Sequence, residues 1–328
     1  MPIKAPLLFL FLTLALLVAM AWALGAGSIA LSWGEIGRGL WHGASSEGLL
    51  IWQLRVPRLL AAACCGALLA LAGALMQLLL RNPLADPAVL GISAGASFFA
   101  LTALGLGLGV AGLALYGFAG ALVAIALVLV LADVRRGWQA QRVLLTGVVV
   151  AAGFGAGISF WLTLSSDLRL HSMLFWLMGD LSDASVPLLP AVGLVVALIV
   201  VGLLAGACNV LLRGELAAQA LGVPVAPVRW SLFLVACGCT ALAVSIGGNL
   251  GFIGLVAPHS LRLLGVWDQR ILLPASALLG ALLLVLADTA ARLLLAPVQI
   301  PVGVLTAAFG VPLLLYLLRQ QSMRMSDA

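Results

Sequence analysis

The sequence specifies an all-α, polytopic membrane protein with about ten transmembrane helices per subunit and both termini cytoplasmic. Three observations lead there. First, hydrophobic residues make up 64% of the 328 and charged residues 8%, where a soluble protein carries about 25% charged residues. So few charges cannot clothe a water-facing surface, and the mean hydropathy of +1.24 agrees. A single large soluble core is excluded on the same ground. Second, apolar runs able to cross about 30 Å of hydrocarbon recur along the whole chain. Third, Lys and Arg sit at the ends of those runs.

The first run, residues 6–27, follows Lys4. It resembles a signal peptide, but its length of about 20 residues suits a retained span better than an h-region. Further spans are predicted at 57–80, 91–108, 110–132, 142–165, 186–207 and 228–247, then 271–296 and 302–319. A shorter apolar piece at 252–265 carries Pro258, His259 and Arg262. It can lie at membrane depth only where protein or water covers those groups. The whole chain, 1–328, reads as one transmembrane domain.

With a cytoplasmic N-terminus, Lys4, Arg81, Arg135, Arg136, Arg142 and Arg213 fall inside, as do Arg229, Arg262, Arg270, Arg319 and Arg324. Arg38, Arg55, Arg58, Arg169 and Arg292 fall outside. Eleven against five follows the positive-inside rule.

Three segments lie outside the spans. Residues 28–56 carry Trp33, Trp41 and Trp52, which suit an outer interfacial belt. Residues 167–184 interleave Leu168, Met173, Phe175, Trp176 and Leu177 with Asp and Arg, the pattern of a short amphipathic helix on the outer face. Residues 208–227 lie on the cytoplasmic side and contain a short helical stretch, Glu215 to Leu221, stopped by Gly222 and Pro224. Gly66 and Gly73, and the run Gly153-x-Gly155-x-Gly157, read as places where helices approach closely.

The residues also limit the chemistry. The chain lacks G-x-x-x-x-G-K-[ST] and any Ser/His/Asp or HExxH arrangement, so it reads as a non-enzyme with no cofactor and no metal site. The net charge of +5 is not clustered, so nucleic acid is not an expected partner. Cys64, Cys65, Cys208, Cys237 and Cys239 lie in apolar runs at spacings that fit neither redox nor zinc chemistry. They read as small packing residues. Among the 11 acidic residues, Asp288 stands well inside a span, four residues before Arg292. One carboxylate beside an arginine weighs against a self-sufficient ion-coupled carrier, the main alternative of another class.

Two arginines in Arg55-Val56-Pro57-Arg58 form a positive patch at the outer mouth of the second span. They suit either interfacial snorkelling or capture of a partner's carboxylates. The inner segment Gly214–Gly222 suits either an interfacial loop or a handle for a soluble motor. The break Arg81-Asn82-Pro83-Leu84-Ala85-Asp86-Pro87, followed by Gly91-Ile92-Ser93-Ala94-Gly95-Ala96, suits a helix start or a gate.

Several stretches, in order, resemble the iron-siderophore, haem and cobalamin permeases of type II ABC importers. They are IWQLRVPRLLAAACCGALLALAGALMQLLLRNPLADPAVLGISAGA, RGELAAQALGVP, GFIGLVAPHSLRLL, ILLPASALLGALLLVLADTAARLLL and PVGVLTAAFGVPLLLYLL. The resemblance spans about residues 50–320. It implies a homodimer in the bacterial inner membrane, two cytosolic ATP-binding subunits and a periplasmic substrate-binding protein. The cargo it implies is a metal chelate: haem or a ferric siderophore, with cobalamin as the alternative.

By resemblance, Arg55, Arg58 and Arg292 receive acidic residues of the binding protein. Reversing the charge of Arg55 and Arg58 is then expected to abolish transport without unfolding the chain. Leu212, Arg213, Gly214, Glu215, Leu216, Ala217, Ala218, Gln219, Ala220, Leu221, Gly222 and Val223 match the segment that couples to the ATPase. Asn82, Pro83, Leu84, Ala140 and Gln141 fall where the family closes the cytoplasmic end of the path. Ala140-Gln141 departs from the small hydroxyl residues of the cobalamin member. His171 and Met173 read as surface side chains of the outer helix, with contact to a haem as the alternative.

Overall fold

A computed structural model describes residues 5–326, apart from residues 28, 30, 44, 109, 134–137 and 183. Lys4, Arg135 and Arg136 lie outside the described residues, as do the side chains of Leu168, Arg319 and Arg324. The described residues form helices and connections without a strand.

The chain opens with α1 (Ala5–Gly25), α2 (Trp33–Trp41) and α3 (Ser46–Leu49). A π-helical turn, Leu50–Arg55, then feeds α4 (Val56–Leu79). Pro57 has no N–H to continue the ladder, and the backbone widens just before it, Val56 N–H reaching Ile51 O. Next come α5 (Ile92–Gly105), α6 (Val110–Leu131), α7 (Ala140–Leu164), α8 (Asp167–Met178) and α9 (Leu188–Leu211). The last five are α10 (Glu215–Ala220), α11 (Val225–Gly247), α12 (Ile253–Leu263), α13 (Gln269–Leu293) and α14 (Val302–Ser326). Seven helical stretches are long and apolar enough to span. Among the described residues the shorter apolar α5 and the Val302–Leu315 part of α14 add two more candidates, and α12, with 11 residues, is too short to cross by itself. The expected all-helical, multi-pass architecture is the one observed.

Helix α4 is the axis of the bundle. All but three of its 24 residues are buried, and α13, α11, α12, α1 and α9 pack around it. Its many alanines and glycines explain the fit, because small side chains let helix backbones touch in an apolar medium where burial alone gives little drive. A Cβ on Gly66 would stand 2.2 Å from Gly280 O, and one on Gly73 would stand 2.0 Å from Gly254 O. The run in α7 behaves otherwise. Gly157 lies against Phe98, but a Cβ on Gly153 or Gly155 meets nothing within 4 Å. Among the described residues of one chain, no helix packs on those two positions, which lie on a largely exposed face of α7.

Two features differ from the sequence expectation. Residues 28–56 are not merely a Trp-bearing loop. They contain α2, begun by a capping box in which Ser32 Oγ accepts from Glu35 N–H and Glu35 accepts from Ser32 N–H at 2.7 Å. Trp33 and Trp41 stand out from it into the surroundings. Met173 is fully buried rather than a surface side chain, and its sulfur accepts from Ser165 Oγ at 3.0 Å. Surface contact of Met173 with a ligand is thereby corrected.

The segment between α11 and α12 is irregular backbone whose ends are tied to neighbouring elements. Asp180 N–H donates to Gly247 O at 3.1 Å, and Asn249 N–H to Trp176 O at 3.4 Å. Gly303 N–H donates to Gly179 O at 3.2 Å, so the end of α8 is tied to both α11 and α14.

Candidate docking, coupling and gating sites

The outer end of the bundle brings Arg55, Arg58 and Arg292 together, two of them on one carboxylate. Arg58 Nε donates to Asp288 Oδ1 at 2.9 Å, and Arg292 Nε donates to Asp288 Oδ2 at 3.2 Å. Arg58 Nη1 reaches Gln299 Oε1 at 2.7 Å. Arg55 donates to the carbonyls of Leu24 and Ile29, and Arg292 Nη1 donates to Ala26 O at 3.0 Å. The carbonyls at the open end of α1, which lack helical partners, thus receive two of the guanidinium groups.

The three arginines converge, but they are recessed rather than displayed. Arg55 and Arg58 are each 8% exposed. Asp288 and the α1 carbonyls draw them inward. A Glu at 58 would put a buried anion beside Asp288, and a Glu at 55 would face the carbonyls that Arg55 now donates to, so charge reversal is expected to disturb the fold as well. Burial thus sets an expected loss of stability beside the loss of transport expected from the sequence.

At the opposite end, α9 and α11 are joined by α10. Gly214 and Gly222 bracket it with φ of +119° and +78°, a region where an L side chain is strained. Ala218 is buried against the bundle, and Glu215 pairs with Arg229 at 3.0 Å. Leu216 and Leu221 are 83% and 64% exposed, with Leu212 and Arg213 beside them. Ala217, Gln219, Ala220 and Val223 complete this short platform.

Asn82, Pro83 and Leu84 form the turn that ends α4, at the same end of the bundle. Asn82 Oδ1 accepts from Leu84 N–H at 2.9 Å. Asp86 then accepts from Ala88 N–H at 2.7 Å and starts the 3-10 turn Pro87–Leu90. Burial pushes the Asp86 carboxyl above its usual range. Ala140 and Gln141 open α7, which packs on that 3-10 turn. Gly91, at φ +75°, lets the turn approach α7, where a Cβ would stand 3.0 Å from Gly147 O.

The residue that covers the polar groups of the Pro258–Arg262 piece, Gln77, was not singled out from the sequence. Pro258 leaves the Gly254 carbonyl without its helical donor. Gln77 Nε2 of α4 lies 3.4 Å from that oxygen, and Gln77 Oε1 accepts from Arg262. α4 thus supplies the partner that Pro258 takes from the Gly254 carbonyl. The sequence signal was a lone Gln in an otherwise apolar helix.

The profile of the FecCD transport family matches residues 14–320. The chain belongs to the FecCD transport family. Among its relatives, the vitamin B12 import system permease protein BtuC of Citrobacter koseri is 41% identical, over 94% of this chain and 92% of that one. A chain of Methanocaldococcus jannaschii, named no more closely than as an ABC transporter permease protein, is 37% identical over 94% and 93%. A solved structure described as a metal-chelate type ABC transporter in an inward-facing conformation aligns with TM-score 0.84 and 31% identity, covering 96% of this chain and 99% of that one. As a FecCD transporter the chain is a multi-pass membrane protein, the permease rather than the ATP-hydrolysing component.

Proposed function

We propose that this chain is the permease subunit of a binding-protein-dependent ABC importer for a bulky metal chelate. Two copies enclose one path in the inner membrane, two cytosolic ATPase subunits drive it, and a periplasmic binding protein delivers the cargo. The observation that carries the reading is the pairing of α10's exposed leucines at one end with the three-arginine cluster at the other, in a chain of a transport family. Exposed Leu216 and Leu221 offer a cytosolic partner an apolar grip between two spans. The cluster is a cationic target for acidic residues of a binding protein only if they compete with Asp288 and the α1 carbonyls for guanidinium groups that are recessed in the lone chain. Asn82–Leu84 and Ala140–Gln141 act as the inner gate, and movement of α10 reaches them through α9 and α11.

The substrate class follows from the relatives' names: two independent descriptions, vitamin B12 import and metal-chelate transport, favour a corrinoid or similar chelate over a small ion. Haem and ferric siderophores stay within the class. A self-sufficient ion-coupled carrier is disfavoured because Asp288, the carboxylate within a span, is held by two arginines and is a poor carrier of a transported proton. Reconstitution with the partner ATPase and binding protein, followed by uptake of cobalamin, haem and a ferric hydroxamate in turn, tests this. Uptake of one of them that requires ATP supports the reading. Uptake driven by an ion gradient with no ATPase overturns it.

A further inference from the structure

The outer ends of α6 and α9 both rest on α11 and leave a cavity of about 820 Å³ between them, roofed by α8. Its walls are apolar: Leu113 and Phe118 from α6, Leu188 and Leu189 from α9, Leu242 and Ile246 from α11. Its rim is polar and one-sided, with Asp180, Ser182, Ser185 and His171. Neither α7 nor α14 lines it. Leu188 and Leu189 are 73% and 69% exposed, so the mouth opens at the start of a span, where a bilayer would lie.

Asp180 keeps its carboxylate at the rim, where it accepts from Ser182 N–H at 3.1 Å and from the Ser182 hydroxyl.

We propose that this cavity binds one phospholipid of the outer leaflet whose headgroup carries an ammonium. The acyl chain lies along the α6–α9 walls. The ammonium meets Asp180. An anionic headgroup without an ammonium meets a carboxylate there and is disfavoured. A bound lipid would thus support α8, the helix tied to α11 and α14.

The test uses the full chain in vesicles of phosphatidylethanolamine and phosphatidylglycerol, each lipid in turn traced with a photoreactive acyl chain. Cross-linked residues are mapped by mass spectrometry. Labelling by phosphatidylethanolamine is expected to concentrate on Leu113–Phe118 and Leu188–Leu189, several-fold above Leu203, an exposed residue of the same α9. Ala114→Trp, which fills the cavity, is expected to remove that excess and leave Leu203 labelling unchanged. Asp180→Asn is expected to abolish the preference for phosphatidylethanolamine. Even labelling along α9, or equal labelling by both lipids in the unaltered chain, overturns the proposal. Displacement of the label by cobalamin or haem overturns it too, because the cavity then belongs to the cargo path.

Discussion

Arg58 and Asp288, 230 residues apart in the chain, form a buried ion pair with Nε 2.9 Å from Oδ1. The same carboxylate holds Arg292 four residues on, at 3.2 Å. One acid thus orders two arginines from two helices while the end of α1 orders the third. Removing the acid leaves two buried cations facing each other. Breaking a buried pair from one side costs about 3–5 kcal/mol. Asp288→Ala is therefore expected to lower the thermal unfolding temperature of the purified chain clearly. Arg55→Lys should lower it less, because it keeps the charge near the α1 carbonyls. Equal, small shifts in both variants would mean that the carboxylate does not organise the cluster.

Gly66 and Gly73 are contact points between helix backbones, whereas Gly153 and Gly155 face open space. Gly73→Leu is expected to abolish the folded protein in membranes, and Gly66→Leu to behave similarly. Gly153→Ala is expected to express and melt like the parent chain. Measuring folded yield by size-exclusion chromatography separates these outcomes. A tolerated Gly73→Leu would refute the α4–α12 contact.

Gln77 supplies the Gly254 carbonyl with a donor and accepts from Arg262. Gln77→Leu leaves both buried groups short of a partner, a loss of about 1–3 kcal/mol. Thermal unfolding in the same lipid or detergent should report it, and Gln77→Glu should recover part by pairing with Arg262. No change in Gln77→Leu would show that water or lipid already serves those groups.

Leu216 and Leu221 point away from the bundle, so replacing them should spare the fold. Leu216→Asp with Leu221→Asp is expected to leave the unfolding temperature unchanged while co-purification of the partner ATPase and ATP-driven uptake are both lost. Retained co-purification would place the ATPase contact elsewhere.

The helices were legible because apolar runs of membrane length carry their own signal. The span read at 57–80 is observed at 56–79, and the span at 110–132 is observed at 110–131. The short segment at Glu215 was legible from its amphipathic pattern and from Gly222 and Pro224, which stop it. α2 was missed although Ser32-x-x-Glu35 was present, since a nine-residue helix among aromatic residues has no spanning length to announce it. The recessed arginines were not legible, because their burial depends on Asp288 and on carbonyls of α1, contacts between distant parts of the chain. Likewise, nothing local links Gln77 to Pro258. The openness of α7 at Gly153 and Gly155 also depends on which helices happen to pack beside it.

The most direct measurement is uptake of cobalamin into vesicles holding this chain with its partner ATPase, with binding protein supplied on the outside, and with haem and a ferric hydroxamate as parallel cargoes. The result expected is uptake of one chelate that needs both ATP and the binding protein, and that disappears when Leu216 and Leu221 are both replaced by Asp. Uptake by the chain alone under an ion gradient, or ATP-driven uptake indifferent to the binding protein, would contradict the assignment as an importer permease.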